Sequence, residues 1–180
     1  DSRCVPLALK NLRAFGRDPQ TLRALHGSWD LVSPAQLSRM KAPKVHVVFG
    51  CLPQVPARVD LAAGDNRSQY YDPRRYPHAH LHELGLGLNE TLLQRAKKVL
   101  EPGGQVVRNL SGRPGLKRLE GLFWESGYEP TLVHQETIPQ HVGTSLASLA
   151  ELESRGHSHF EFYEDEGRQK PISATEAEVR

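Results

Sequence analysis

Cysteine is nearly absent: Cys4 and Cys51 are the only two in 180 residues. At most one disulfide can form, and neither a disulfide framework nor a cysteine-based zinc site fits. This usage suits a reduced, cytoplasmic protein. No run approaches the ~20 apolar residues of a membrane span, no signal peptide opens the chain, and no internal repeat is visible. Excess charge is also lacking, with 23 basic and 21 acidic residues mixed along the chain for a net +2. No broad field would therefore attract nucleic acid or an anionic membrane. A hydrophobic fraction of 38% is enough for one core and argues against a second complete domain. The first residue is Asp1 rather than methionine, so the chain is expected to be a piece of something longer.

What is present is an alternation of strand-like and helix-like segments. Val5, Ala8, Leu9 and Leu12 recur at helical spacing, with Pro6 in the first turn and Gly16 as a stop. H-G-S-W-D-L-V-S-P reads as a short strand leaving into a loop. Lys44 to Cys51 is the clearest strand, and its continuous apolar run predicts cover on both faces, as in a parallel sheet. Residues 53–82, rich in Pro, Arg, Tyr and His, form an irregular segment expected to cover a site. Leu88, Leu92, Leu93, Ala96 and Leu100 predict an amphipathic helix that ends at P-G-G. Then follow a strand in G-Q-V-V-R-N-L, a helix in L-K-R-L-E-G-L-F-W-E-S-G, a strand in Y-E-P-T-L-V-H, and a helix over 144–154. H-F-E-F-Y-E alternates like an edge or antiparallel strand, and the polar tail from Gly167 is expected to be disordered. The whole predicts an α/β domain with a mainly parallel sheet and right-handed crossovers.

Several phrases carry a resemblance. L-L-Q-R-A-K-K-V-L-E-P-G-G-Q-V-V and G-L-F-W-E-S-G-Y-E-P-T-L-V resemble the later helices and strands of class I S-adenosylmethionine-dependent methyltransferases. The set F-G-C-L-P-Q-V, E-L-G-L-G-L, N-L-S-G-R-P-G and H-F-E-F-Y-E-D, in this order, resembles more specifically the methyltransferase domain of the methionine S-methyltransferases. In those plant-type enzymes the domain precedes an aminotransferase-like region. The resemblance implies a Rossmann-like sheet of order 3-2-1-4-5-7-6, mostly parallel with an antiparallel strand near the C-terminus. It places residues 1–175 in a partial methyltransferase domain, with 176–180 as a tail. It also implies that the first strand and its glycine-rich loop are missing from this chain. Strands 2 and 4 would then each face unpaired backbone, which an upstream segment is expected to complete.

The same resemblance supplies site residues. Asp1 would accept from the ribose hydroxyls of S-adenosylmethionine, and Asp30 from the adenine amine with Trp29 or Leu31 against the ring. The alternatives are a frayed terminus for Asp1, and a helix cap beside core residues for Trp29 and Asp30. Gly50, Cys51, Leu52, Pro53 and Gln54 occupy the place where related amine and amide methyltransferases carry Asn/Asp-Pro-Pro-aromatic. Gly50 falls to the cofactor side, and Cys51, Pro53 and Gln54 to the reacting side. Only Pro53 matches that grip, which puts a nitrogen target in doubt. A thioether has no proton to lose and needs no placed base. Read alone, the stretch is equally a strand end with a buried cysteine. Cys51 as a covalent nucleophile lacks any His or Asn partner arguable from sequence.

Transfer between two sulfurs shares positive charge, which aromatic faces and carboxylates stabilise. Tyr70, Tyr71 and Tyr76, with Glu83, are candidates in the covering segment, against an alternative of lid packing. Arg113 in G-R-P-G stands where it could meet a substrate carboxylate, or is a solvated loop residue. His78, His80 and His82 could share one face of an extended segment and bind a metal, but lack recognisable co-ligands, and no metal is expected. The resulting expectation is S-methylation of methionine or a similar small thioether. The alternatives are an N-methyltransferase and a non-catalytic binding or regulatory module.

Overall fold

Val45, Val47, Val48 and Phe49, β-branched or aromatic and bounded by Pro43, form strand β1, Val45–Cys51. The computed structural model describes residues 4–14, 34–39, 41, 43–54, 56, 78–141, 143–156 and 158–179. The chain divides into two compact units, Asp1–Ala42 and Pro43–Arg180. In the first, α1 spans Cys4–Ala14, as its spacing predicts, and α2 spans Pro34–Arg39. Val5 and Leu9 are half-buried on α1, whereas Leu7 and Leu12 are exposed. The strand expected in H-G-S-W-D-L-V-S-P lies mostly outside the described residues.

In the second unit β1 pairs in parallel with β2, Leu100–Asn109. Between them α3, Ala79–Glu83, and α4, Gly87–Ala96, complete the connection. Leu88, Leu92, Leu93 and Ala96 are all buried on α4, as their spacing requires. The helix does not run to P-G-G, however. It closes at Ala96, and Pro102, Gly103 and Gly104 lie within β2, where the register slips between Val45↔Leu100 and Val47↔Gln105. Gly103, at φ +78°, gives the backbone turn that this bulge needs. A glycine pair that stops a helix and one that makes a bulge look alike in sequence.

The expectation of cover on both faces of β1 is corrected. Val48 is buried and a Cβ on Gly50 would touch Leu92 of α4, so one face packs on that helix. On the other face Val47 is 52% and Phe49 71% exposed, with Val107 of β2 also open.

Helix α5, Leu116–Glu125, buries Leu119 and Leu122. It ends in a Schellman turn: Gly127 N–H donates to Trp124 O and Tyr128 N–H to Phe123 O, each at 2.9 Å, with Gly127 at φ +72°. The Tyr128 hydroxyl donates to Leu93 O on α4 at 2.9 Å, and burial pushes the phenol's pKa up. The strand expected in Y-E-P-T-L-V-H is absent. Residues 128–141 are irregular, and Leu132 and Val133 are 57% and 90% exposed, so strand-like composition found no neighbour to bury it.

Helix α6, Ala147–Ser154, follows. Of H-F-E-F-Y-E only β3, Phe162–Tyr163, is a strand, antiparallel to β4, Pro171–Ile172. The tail is not disordered. Ser173 and Glu176 make a capping box for α7, Ala174–Glu178. Glu178 reaches back to the N-terminus of α6, accepting from Ser145 Oγ at 3.0 Å and from Leu146 N–H. Glu153 of α6 accepts from Phe160 N–H at 2.7 Å and Thr175 N–H at 3.3 Å. The core joins Leu81, Leu86 and Leu93 to Leu122, Leu152, Phe160 and Ala174. The architecture of this unit is α/β: a parallel pair, a separate antiparallel pair, and helices.

Two alanine substitutions should act in opposite directions. Gly127→Ala forces a side chain into positive φ and should cost about 1–2 kcal/mol. Gly121→Ala, in mid-α5 where a Cβ would meet nothing within 4 Å, should add about 0.5–1 kcal/mol. Urea-unfolding midpoints measure both, and a shift of the same sign for the pair would contradict the assigned turn.

Candidate active site

Parallel pairing brings the ends of β1 and β2 to one edge, where Cys51 stands opposite Asn109. Ligands of open α/β sheets bind at such carboxyl edges. A cleft of about 300 Å³ opens there. Cys51 at the end of β1 lines it with Leu52, Gln54 and Pro56 beyond, and Asn109 at the end of β2 with Ser111, Arg113 and Pro114 beyond. Leu84, Leu149 and Phe160 close its apolar side. Its volume is at the lower end for small-molecule pockets.

Gln54 ties the two loops together. Its Nε2 donates to Ser111 O at 3.2 Å and its Oε1 accepts from Ser111 N–H, so one carboxamide satisfies both backbone groups of one residue. This engages the amide's oxygen and one of its N–H groups. The loop after β2 is fixed from its other side by Glu161 N–H donating to Arg113 O at 2.8 Å, and by Arg118 Nη1 donating to Pro114 O and His159 O at 3.2 and 3.0 Å.

Gly50 and Arg108 form a second pair, aligned in register. A Cβ at Gly50 would overlap Arg108 Nη1, so the absent side chain makes room for the guanidinium between β1 and α4. Arg108 Nη2 donates to the buried Asn89 Oδ1. Its Nε and Nη1, and Asn89 Nδ2, have no partner among the described residues. Burial lowers the Arg108 pKa, while nearby Cys51 acts in the opposite direction. Arg108 carries a signal that spacing could have revealed: it shares the inward phase of β2 with Val106, where a cation is out of place.

Arg113 is half-buried in the cleft wall. Its Nη2 donates to Gln140 Oε1 at 2.8 Å, its Cζ lies 5.8 Å from the centre of the Phe162 ring, and burial lowers its pKa. Neither Gln140 nor Phe162 is singled out by sequence, because they lie 27 and 49 residues beyond Arg113.

The structure thus brings Cys51, Gln54 and Arg113 to one cleft, with Pro53 in the same exposed turn and Gly50 one residue back in β1. Asp1, Trp29, Asp30, Tyr70, Tyr71 and Tyr76 lie outside the described residues. Glu83 ends α3. The extended geometry weighed for the histidines is not what forms: His80 and His82 lie on α3 with His78 as its N-cap, so alternate residues do not share a face. His78 Nδ1 pairs with the buried Glu90 and His80 with Glu125 at 3.1 Å. Among the described residues no group of three His, Cys, Asp or Glu could hold a metal, and no helix is long and apolar enough to cross a membrane.

No protein-family model matches the chain. Methionine S-methyltransferase of Zea mays is 28% identical over 157 residues, covering 82% of this chain and 14% of that protein. The Hordeum vulgare methionine S-methyltransferase is 27% identical over the same coverage, and that of Arabidopsis thaliana 27% over 139 residues, 72% of this chain and 13% of that protein. The matched part of the chain thus spans only 14% of the length of the first of these relatives.

Gln54→Ala should release the loop after β2. Losing the exposed Ser111 N–H to Gln54 Oε1 bond, worth about 1 kcal/mol, should speed exchange of the Ser111 amide about fivefold. Hydrogen-exchange NMR reads this directly, and an unchanged Ser111 rate would contradict the tie.

Proposed function

We propose that this chain, a distant relative of the methionine S-methyltransferases, forms the acceptor side of a methyltransferase site. The acceptor is the sulfur of methionine or a similar small thioether, held in the cleft at the ends of β1 and β2. The observation that carries the choice of sulfur is the Gln54 tie. A nitrogen acceptor needs hydrogen-bond acceptors placed to take its N–H groups and aim its lone pair. Here the Gln54 carboxamide oxygen accepts from Ser111 N–H instead. A thioether asks for neither a grip nor a base.

S-adenosylmethionine, when bound, supplies an electrophilic methyl group on a sulfonium. Its methyl end is proposed to enter at the carboxyl edge of the sheet, where Cys51 ends β1 and Leu52 lines the cleft. Asp1, Trp29 and Asp30 remain the proposed ribose and adenine contacts. Gly50 is proposed to serve the cofactor indirectly, through the room it leaves for Arg108 beneath the strand end. The work of this chain is to hold the acceptor sulfur in line and to exclude water with Leu84, Leu149 and Phe160. Tyr70 and Tyr71 are proposed to face the shared sulfonium charge.

The sheet is proposed to be Rossmann-like, with an upstream segment adding a strand beside β1. The exposed Val47 and Phe49 leave one face of β1 apolar, which further elements of that segment are proposed to cover.

The test uses the complete protein that carries this chain, given labelled S-adenosylmethionine and methionine. Labelled S-methylmethionine should form, at a rate flat between about pH 6 and 9 because no acceptor proton is lost. Absence of a labelled sulfonium, or a rate climbing with an amine's ionisation, would overturn the reading.

A further inference from the structure

Arg113 sits in the cleft wall with no carboxylate paired to it among the described residues. A guanidinium half-removed from water ordinarily takes a carboxylate partner, because burial without one leaves part of its solvation unreplaced. Its contacts are the neutral Gln140 amide at 2.8 Å and the Phe162 ring at 5.8 Å. Glu161, whose backbone N–H donates to Arg113 O, uses its carboxylate to accept from the Tyr163 hydroxyl at 3.2 Å. An amide oxygen and a ring face orient a guanidinium without cancelling its charge, and most of its five donors remain for a ligand. Beside it, Leu84, Leu149 and Phe160 are 7%, 7% and 1% exposed and give the cleft a dry wall.

We infer that Arg113 and this apolar wall form a subsite for a small aliphatic carboxylate, with Gln140 and Phe162 as the residues that position the guanidinium. A carboxylate matches the guanidinium fork with two parallel hydrogen bonds, which a hydroxyl or an amide cannot reproduce. The inference deepens the methyl-acceptor reading of the same cleft and rests on it for the choice of methionine. The subsite selects by charge at one end and by apolar bulk at the other.

The test is calorimetric titration of the complete protein that carries this chain with methionine, with methioninol, which lacks the carboxylate, and with butanoate, which keeps the carboxylate and lacks the sulfur and the amino group. Methionine and butanoate should bind, and methioninol about tenfold more weakly than methionine. Arg113→Gln should weaken methionine about tenfold and leave methioninol unchanged, with Arg113→Lys recovering part of the loss. Gln140→Ala should weaken methionine a few-fold and leave methioninol unchanged, which a general loss of folding would not do. Circular dichroism confirms that each variant is folded. Equal binding of methionine and methioninol, or an Arg113→Gln variant that binds methionine normally, would overturn the subsite. Arginine-dependent binding of both carboxylates without methyl transfer would leave the subsite standing and sink the methyltransferase reading. Methyl transfer without carboxylate preference would do the reverse.

Discussion

Parallel pairing of β1 with β2 is the constraint on which the candidate site depends. It requires a crossover, which α3 and α4 supply, and it delivers both strand ends to one edge. Cys51 meets Asn109 there, and the loops beyond them enclose a cleft that antiparallel strands would have sent to opposite ends. Gln54 extends the pairing past the last ladder bond by treating Ser111 as one more backbone partner. The C-terminal elements then hold the far wall, with Glu161 bonded to the Arg113 carbonyl and Glu153 and Glu178 locking α6 to α7.

Helices were legible where apolar spacing agreed with packing. Leu88, Leu92, Leu93 and Ala96 on α4, and Leu119 and Leu122 on α5, face the core as their period requires. Punctuation was less legible. Pro102-Gly103-Gly104 makes a bulge rather than a stop, because a glycine's permissiveness does not say which turn will use it. Residues 128–133 have strand composition but no strand, since a strand exists only with a partner and composition cannot supply one. The tail was the opposite failure. Its capping pair, Ser173 and Glu176, was visible in sequence but was outweighed by its polarity.

For the site, position along the chain was informative and contacts were not. Cys51, Gln54 and Arg113 follow strands whose ends could be read from hydrophobic runs, and all three reach the cleft. What Gln54 does there could not be read, because its partner Ser111 lies 57 residues away. Gln140 and Phe162 were invisible for the same reason. Arg108 was overlooked although its phase in β2 placed a cation on the buried side, over the one residue of β1 without a side chain. The similarity to the methionine S-methyltransferases, at 27–28% identity, supports the class of chemistry proposed and does not by itself name the acceptor.

The proposed acceptor is a small thioether at the joined ends of β1 and β2. Titrating methionine into isotope-labelled protein while following backbone amide shifts tests the placement most directly. The account predicts the largest perturbations at Leu52, Gln54, Asn109, Ser111 and Arg113, on the loops that line the cleft. Saturable perturbations confined to other parts of the chain, with these five amides unmoved, would contradict it.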